Sequence, residues 1–319
     1  MSDKKLIDVH VHLAAFPDGQ NGCHMSERMR GGLQTRFIVK AFGLPLDDPG
    51  RANEMYLQKL VQSLEQSKYV RQAVLLGLDG IYDRAGELDK GQCEFLISND
   101  AVFAAVKRYP HLFKAGVSIN PQRKDALAEL ERCAAAGAYL VKVLPNAQVY
   151  NPSDPAHIPF YKAMARLKLP LLCHVGHEFT LKGKDQSFGD PRHFAPILER
   201  GVTVIAAHGM SSGLFFWEKN LKLFRELVQR YPHFYWDASA LSLPNRVGML
   251  WRLRREPELQ KRMLFGTDYP LTSFAFPVLV TGRWRDYIAL RGIKNSFDRH
   301  YRLLQLLGFR EPAVLDPTA

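Results

Sequence analysis

Five side chains that could bind a divalent cation each follow an apolar run of this sequence: His10, His12, His174, His208 and Asp268. His10 and His12 lie in the run LIDVHVHL. Residues two apart in a β-strand face the same side, so both imidazoles should point in one direction. A lone histidine at a strand end is more often structural, but neutral imidazoles and a carboxylate that converge on one cavity suit zinc and similar cations. The set therefore predicts a cation site if the fold brings these strand ends together.

Strand-like and helical patterns alternate along most of the chain, which favours βα units and a parallel sheet. Eight runs have the composition of buried strands, at 6–13, 70–78, 112–120, 139–145, 169–176, 202–209, 233–239 and 262–270. They predict an α/β fold, a (β/α)8 TIM barrel, as a single domain over residues 1–319 with an insertion at 14–50 after the first strand. Because the C-terminal ends of barrel strands meet on one face, all five candidate ligands would lie there.

The order of these residues along the chain resembles that of a known family. A histidine pair in the first strand, then a lysine, two histidines and an aspartate, together with the segments AAHG and GTDYP, resembles the amidohydrolase superfamily. The segments are most similar to its amidohydrolase-2 branch, and the layout is similar to the aminocarboxymuconate semialdehyde decarboxylase group. The resemblance spans the first to the eighth strand. It implies a metal-dependent barrel enzyme with one cation held by His10, His12, His174 and Asp268.

Two residues are then expected to carry out the chemistry. A divalent cation lowers the pKa of its bound water to roughly 7, which supplies hydroxide at neutral pH. Asp268 could take a proton from that water while it contacts the cation. His208 would orient or protonate the substrate, since a neutral imidazole can donate to a developing oxyanion or a leaving group. Zinc is the expected cation, with manganese as the alternative.

Lys142 ends the fourth strand, in YLVKVLP, and two interpretations of it stay open. As in some amidohydrolases, it could carry a carbamate that bridges two cations and so become a metal ligand. Uncarboxylated, it would be a cation that binds an anionic substrate or pairs with a carboxylate. We favour one cation and an uncarboxylated Lys142.

Further polar residues occupy the loops that follow the strands. His177 and Glu178 begin the loop after the fifth strand, where His177 could contact substrate, although a solvated loop explains them equally well. Asp237 ends the seventh strand as a polar wall residue without a catalytic role. The insertion at 14–50 could close over the site as a lid, with its arginines clamping a carboxylate. A helix packed on the barrel rim is the simpler interpretation of that insertion.

Four functions are compatible with this site. The first is a metal-dependent hydrolase of a small ester, lactone or amide, and the second is a decarboxylase of an aromatic or unsaturated acid. A TatD-like nuclease is disfavoured because Lys142 stands where that family has a glutamate ligand. A non-catalytic scaffold is disfavoured by the intact ligand set.

Composition and sequence patterns limit the partners and the cell compartment that we expect for this protein. The four cysteines form no close cluster, so we expect reduced thiols rather than a zinc ribbon or a disulfide framework. No stretch reaches the roughly 20 apolar residues of a membrane span, and the N-terminus has no signal segment, so we expect a cytoplasmic protein without a membrane partner. The net charge of +11 is not accompanied by a nucleic-acid-binding motif. A small-molecule substrate, possibly anionic, is expected, and a homo-oligomer stays open.

Overall fold

The computed structural model describes residues 6–181 and 185–315 and contains eight parallel strands, each paired with the next along the chain. We name them β1 to β8: Leu6–His12, Val70–Leu76, Phe113–Ser118, Ala138–Val143, Leu171–Cys173, Val204–Ala206, Phe234–Asp237 and Met263–Leu264. Backbone hydrogen bonds from Val9 N to Phe265 O (2.9 Å) and from His12 N to Tyr269 O (2.8 Å) join the last strand to the first. The predicted TIM barrel is confirmed.

Helices connect the strands and carry the caps that their sequences predict. Asp48 accepts a hydrogen bond from Arg51 N, and Ser98 accepts one from Ala101 N, so two helices begin with a side-chain cap. The α-helices α1 to α13 are Glu27–Gly31, Leu33–Phe42, Pro49–Glu65, Asn99–Arg108, Ala126–Ala135, Pro145–Gln148, Ile158–Arg166, Phe194–Leu198, Leu221–Arg230, Val247–Leu253, Pro257–Gln260, Trp284–Gly292 and Ser296–Leu306. Among the described helices, none combines the length and the apolar character that crossing a bilayer requires.

The insertion after β1 contains α1 and α2 and one short antiparallel strand pair. That pair joins His24–Met25 to Phe95–Leu96, which lies in the loop after β2. The ring of Phe42, at the end of α2, lies 5.9 Å from that of Tyr269 in the loop after β8. The insertion thus packs on the rim of the barrel beside the loops of its neighbouring strands.

The barrel interior is closed at its N-terminal end by the C-terminal tail. Leu315 is buried and packs with apolar side chains of the barrel interior, among them Val9, Leu172 and Leu264. Backbone bonding holds the tail, since Ala313 N donates to Met263 O at 2.7 Å. The tail therefore closes the end of the barrel opposite the C-terminal ends of its strands.

Several strands are shorter than the predicted runs, and the reason lies in the backbone. His208 and Asp268 both have left-handed conformations, with φ of 59° and 64°. Such angles are uncommon for residues other than glycine and cannot continue a strand. β6 and β8 therefore end before these two residues, which turn into the barrel mouth.

Candidate metal centre

Three of the predicted ligands converge at the mouth of the barrel. Asp268 Oδ1 lies 2.9 Å from His12 Nε2 and 3.4 Å from His10 Nε2. Each of the three residues offers a ligand atom within 4.8 Å of the others. His10 is buried, whereas the side chain of His12 is 31% exposed, so the group opens to solvent on the side of His12. The arrangement can hold one cation at the surface of a buried pocket.

Asp237 fixes the orientation and tautomer of His10. Its Oδ2 lies 2.7 Å from His10 Nδ1. Burial opposes ionisation of Asp237, but His10, Ser239 and Lys142 outweigh burial and hold the pKa of the carboxyl below its usual range. An ionised carboxylate only accepts hydrogen bonds, so His10 Nδ1 must donate and its Nε2 keeps a lone pair directed at Asp268. The sequence predicts Asp237 to be a polar wall residue without a catalytic role, and in the structure it positions His10. The only feature of the sequence that points to this role is its place at the end of a strand.

Ser239 extends this network to His208. The Ser239 hydroxyl donates to Asp237 Oδ1, and Ser239 Oγ lies 2.8 Å from His208 Nδ1. Since the hydroxyl proton is already used, His208 Nδ1 donates to Ser239 Oγ, and His208 Nε2 keeps a lone pair. His208 N also donates to Asp237 Oδ1 at 2.9 Å, which holds its left-handed backbone in place. In this arrangement His208 is an acceptor at the atom that faces the site.

His174 stands beside His208 rather than in the compact group. Its Nδ1 lies 3.2 Å from His208 Nε2. Within the described residues its Nε2 is buried without a hydrogen-bond partner, and Glu178 Oε2 lies 3.7 Å from it. Among the described residues, the groups of ligand atoms within 4.8 Å of one another do not include His174. Its role as a metal ligand stays a prediction.

Lys142 points into the same space. Its Nζ lies 3.2 Å from His10 Nε2, and the side chain is buried. Burial lowers the pKa of Lys142, against the opposing influence of Asp237 and Asp268. An ammonium here donates to the lone pair of His10 Nε2, so it occupies a direction from which a cation would approach that atom.

The loops after β5 and β6 are held close together above the site. Gly176 has a φ of +84°, and a Cβ at this position would lie 2.4 Å from Ser211 O, so only glycine fits. His177 is half-buried, and its Nδ1 contacts Ser212 O at 3.1 Å. The Glu178 carboxylate accepts from Thr180 N and Leu181 N with one oxygen, which leaves the other facing His174. His177 thus lies at the rim, and Glu178 reaches further in.

Arg246, which precedes α10 in the loop after β7, is a buried cation that sequence reasoning missed. Its Nη1 is 3.4 Å from both Val175 O and Ser211 O, beneath the β5 and β6 loops. Within the described residues it forms no ion pair at 4 Å or less. No motif surrounds Arg246, so no sequence signal could have placed it here.

Burial keeps His174 and His208 neutral, whereas Asp268 stays ionised. Burial, followed by the charge of Arg246, holds the pKa values of His174 and His208 well below the usual value of 6.5. Burial alone would raise the pKa of Asp268, but His10, His12 and His208 outweigh it and hold that pKa well below its usual value. Neutral imidazoles and an ionised carboxylate are the forms that bind metals.

The donor set fits a divalent cation. Two imidazole nitrogens and a carboxylate oxygen already meet, and the buried Nε2 of His174 has no partner within the described structure. A carboxylate behind a metal-binding histidine, as Asp237 stands behind His10, is the usual second partner of such a ligand. The residues present would therefore hold a cation once the Lys142 ammonium gives up its contact with His10 Nε2.

Comparison with known proteins agrees with this geometry. The family model described as amidohydrolase matches residues 7–289. An uncharacterised TIM-barrel protein from Bordetella bronchiseptica is 21% identical, with a TM-score of 0.59 over 95% of this chain and 99% of that one. A probable 2-pyrone-4,6-dicarboxylic acid hydrolase from Acinetobacter baumannii, with citric acid bound, is 15% identical, with a TM-score of 0.54 over 96% and 100% of the two chains.

A decarboxylase shares the fold as well. The 5-carboxyvanillate decarboxylase of Novosphingobium aromaticivorans, solved with bound manganese, is 13% identical, with a TM-score of 0.50 over 94% of each chain. Among curated protein sequences, none matches this one. The structural likenesses show the fold, and the family match covers nearly the whole chain. The chain belongs to the amidohydrolase family, on its amidohydrolase-2 branch.

Proposed function

We propose that this protein is a metal-dependent hydrolase of a small ester, lactone or amide that carries a carboxylate. The observation that supports the proposal most directly is the convergence of His10 Nε2, His12 Nε2 and Asp268 Oδ1 at one point of the barrel mouth. His10, His12 and Asp268 would hold the cation, with His174 as the further expected ligand. Zinc suits this donor set, and manganese, which the related decarboxylase binds, is the alternative.

A bound cation supplies a water of lowered pKa and polarises a carbonyl oxygen. The protein groups around it have separate tasks. The ionised carboxylate of Asp268 accepts the proton of the attacking water. His208 is neutral and its Nε2 accepts from His174 Nδ1, so it orients His174 with Nε2 free for a ligand, and it can protonate a leaving group only after it has itself taken up a proton.

Arg246 gives the substrate its charge preference in this proposal. A buried guanidinium whose hydrogen bonds within residues 6–181 and 185–315 are two long ones to backbone carbonyls has donors left for a ligand. A carboxylate is the partner that matches its planar geometry. Citrate, a small polyanion, is bound in the related dicarboxylic acid hydrolase. We therefore infer a small anionic acid as substrate, bound between Arg246 and the cation, with His177 at the rim.

The position of Lys142 favours a site with one cation over a site with two. Its ammonium already donates to His10 Nε2, and a carbamate on the same nitrogen would bring negative charge toward Asp237 and Asp268. We propose an uncarboxylated Lys142 that contacts the anionic substrate. Metal analysis of Lys142→Met should then give the same one cation per chain as the unmodified protein, whereas loss of a second equivalent would contradict this.

A decarboxylase is the second candidate, favoured by one observation: the site contains two buried cationic side chains, Lys142 beside His10 and Arg246, whose charge acts on His174 and His208. Such a site could hold an aromatic acid and return a proton to carbon. The fold shared with 5-carboxyvanillate decarboxylase is compatible with this reaction but does not distinguish it from hydrolysis.

Product analysis separates the two reactions. The metal-loaded protein is assayed with one panel of lactones and esters that carry a carboxylate. A second panel contains aromatic acids. We expect oxygen from labelled water to be incorporated into the product without release of carbon dioxide. Release of carbon dioxide without water uptake would instead support the decarboxylase.

Variants test the site independently of the substrate. Asp268→Ala and His10→Ala should abolish both metal content and turnover while the circular dichroism spectrum is unchanged. His111→Ala, which changes an exposed histidine outside the site, is the matched control. Full activity in either site variant would refute the assignment.

A further inference from the structure

Helix α2, in the insertion after β1, presents an apolar and basic stripe to solvent. Leu33 is 83% exposed and Phe37 is 68% exposed, and Arg36 and Lys40 are exposed as well. These four residues follow the spacing i, i+3, i+4 and i+7, so they lie on one face of the helix. Arg30, Arg36 and Lys40 have no ion pair within the part of the chain that the structure describes.

A second segment with the same character follows β8. Trp284 and Ile288, four residues apart on α12, are both exposed, and Leu279 and Val280 precede them in the chain. Three arginines accompany these residues, at 283, 285 and 291, with a single acidic residue, Asp286. Of the nine residues of this helix only Leu290 is buried, so most of its apolar surface lacks a partner.

A third segment, the loop after β6, displays aromatic side chains on a fixed backbone. Trp217 is 82% exposed, and Phe215 and Phe216 are exposed beside it. Their backbone is nevertheless bound, because Phe215 N donates to Asn245 O at 2.8 Å and Ser212 Oγ donates to Trp217 O. Exposed aromatic rings on a rigid backbone indicate a binding surface rather than a disordered loop.

The three segments lie in connections that start at the same end of the barrel. Each connection leaves the C-terminal end of a barrel strand, where the candidate ligands also lie. An indirect link joins the second and third segments through Trp251: Phe216 stacks on Trp251 with 6.0 Å between ring centroids, and Trp251 Nε1 donates to Pro277 O at 3.1 Å, two residues before Leu279. On the other side, Phe42 of α2 contacts Tyr269 of the β8 loop. We call these segments, at 30–40, 215–217 and 279–291, the aromatic-basic rim.

We propose that the aromatic-basic rim docks the catalytic face on an anionic lipid surface. A basic amphipathic helix with leucine and phenylalanine on its outer face lies readily in the headgroup region of a membrane. Tryptophan is favoured at the same depth, and arginine and lysine are attracted to anionic headgroups. This proposal goes beyond the reaction proposed above and does not depend on it.

Charge argues against a second copy of the chain as the occupant. A twofold contact would place the same surface on both subunits, so the unpaired cations of α2 would face their own copies. Like charges held together in this way oppose association. A single-stranded nucleic acid is the weaker alternative, because Leu33, Leu279 and Ile288 are aliphatic and provide no face on which a base can stack.

Vesicle sedimentation tests the proposal with the metal-loaded full chain. One set of vesicles contains phosphatidylcholine alone, and the other contains equal parts of phosphatidylcholine and phosphatidylglycerol. We expect sedimentation with the anionic vesicles only, weakened by salt because screening reduces headgroup attraction. The double variant Leu33→Ser/Phe37→Ser should reduce the partition coefficient at least about tenfold, since it removes two inserted apolar side chains.

The control removes an exposed apolar residue elsewhere. Leu127, on α5, is 46% exposed and lies outside the rim, so Leu127→Ser should sediment like the unmodified protein. Circular dichroism and metal content confirm that all variants are folded. Equal sedimentation of both variants, or no preference for anionic vesicles, overturns the proposal.

Two further results would also overturn it. One is a concentration-dependent dimer, seen in sedimentation velocity, that the double variant abolishes, together with no binding of the unmodified protein to vesicles. The other is binding of a single-stranded oligonucleotide without any vesicle binding.

Discussion

His10 Nδ1 and Asp237 Oδ2 lie 2.7 Å apart, although 227 residues separate them in the chain. Barrel closure brings β1 close to β7 and β8, and the resulting hydrogen bond decides which nitrogen of His10 is free for a cation. The first prediction follows from this pair. Asp237→Asn can present an amide N–H to His10 and so favour the wrong tautomer. We expect metal affinity to fall about 10–100-fold, measured by competition with a chelator.

The control for this variant is Asp100→Asn, an exposed carboxylate on α4. It should bind metal as the unmodified protein does. If Asp237→Asn bound metal with unchanged affinity, the positioning role of Asp237 would be wrong.

Arg246 provides the second prediction. Arg246→Met removes the guanidinium and keeps much of its volume. Loss of a charge-assisted hydrogen bond of about 1.5–3 kcal/mol should raise KM for an anionic substrate roughly 10–100-fold, with a smaller effect on kcat. Steady-state kinetics measure both constants. The same variant should turn over a substrate analogue without the carboxylate at the unmodified rate, and an equal loss for both compounds would contradict the assigned role.

His300 provides the third prediction, on pH and stability. This histidine is buried beside Ser273, and burial lowers its pKa from 6.5 to about 4. The neutral form is thus favoured in the folded protein, so its stabilising contribution is complete above pH 6.5 and is lost as the pH falls toward 4. We expect the free energy of unfolding to decrease by about 3 kcal/mol from this group over that interval.

Urea denaturation at several pH values measures the effect. His300→Gln removes the titrating group and should flatten the acid limb of the stability profile, even if it destabilises the protein at neutral pH. His111→Gln, at an exposed position, should leave the profile unchanged. An identical acid limb in the His300 variant would show that another group causes the loss.

The C-terminal tail provides the fourth prediction. Leu315 is buried against the barrel interior, whereas its neighbour Val314 is 78% exposed. Leu315→Ala should lower the free energy of unfolding by about 2 kcal/mol, because it leaves a cavity at the floor of the barrel. Val314→Ala should change it by less than about 0.5 kcal/mol. Chemical denaturation of both variants checks this, and equal effects would contradict the packing of the tail.

The sequence by itself determined the barrel and the order of its strands. Alternation in a strand requires His10 and His12 to share a face, and apolar runs that end in His208 and Asp268 place those residues at the mouth of a parallel barrel. These inferences depend only on local periodicity and on the geometry common to all such barrels. The confirmed fold shows that this information was sufficient for the architecture.

Only the tertiary structure decided which side chains of the site contact one another. The pairing of Asp237 with His10 and the burial of Arg246 depend on contacts between residues distant in sequence, which no local pattern encodes. The same holds for α2, because its amphipathic pattern predicts an apolar face but not whether a neighbour covers it. In the tertiary structure Phe42, at the end of α2, packs against Tyr56 and Tyr269, whereas Leu33 and Phe37 remain in solvent.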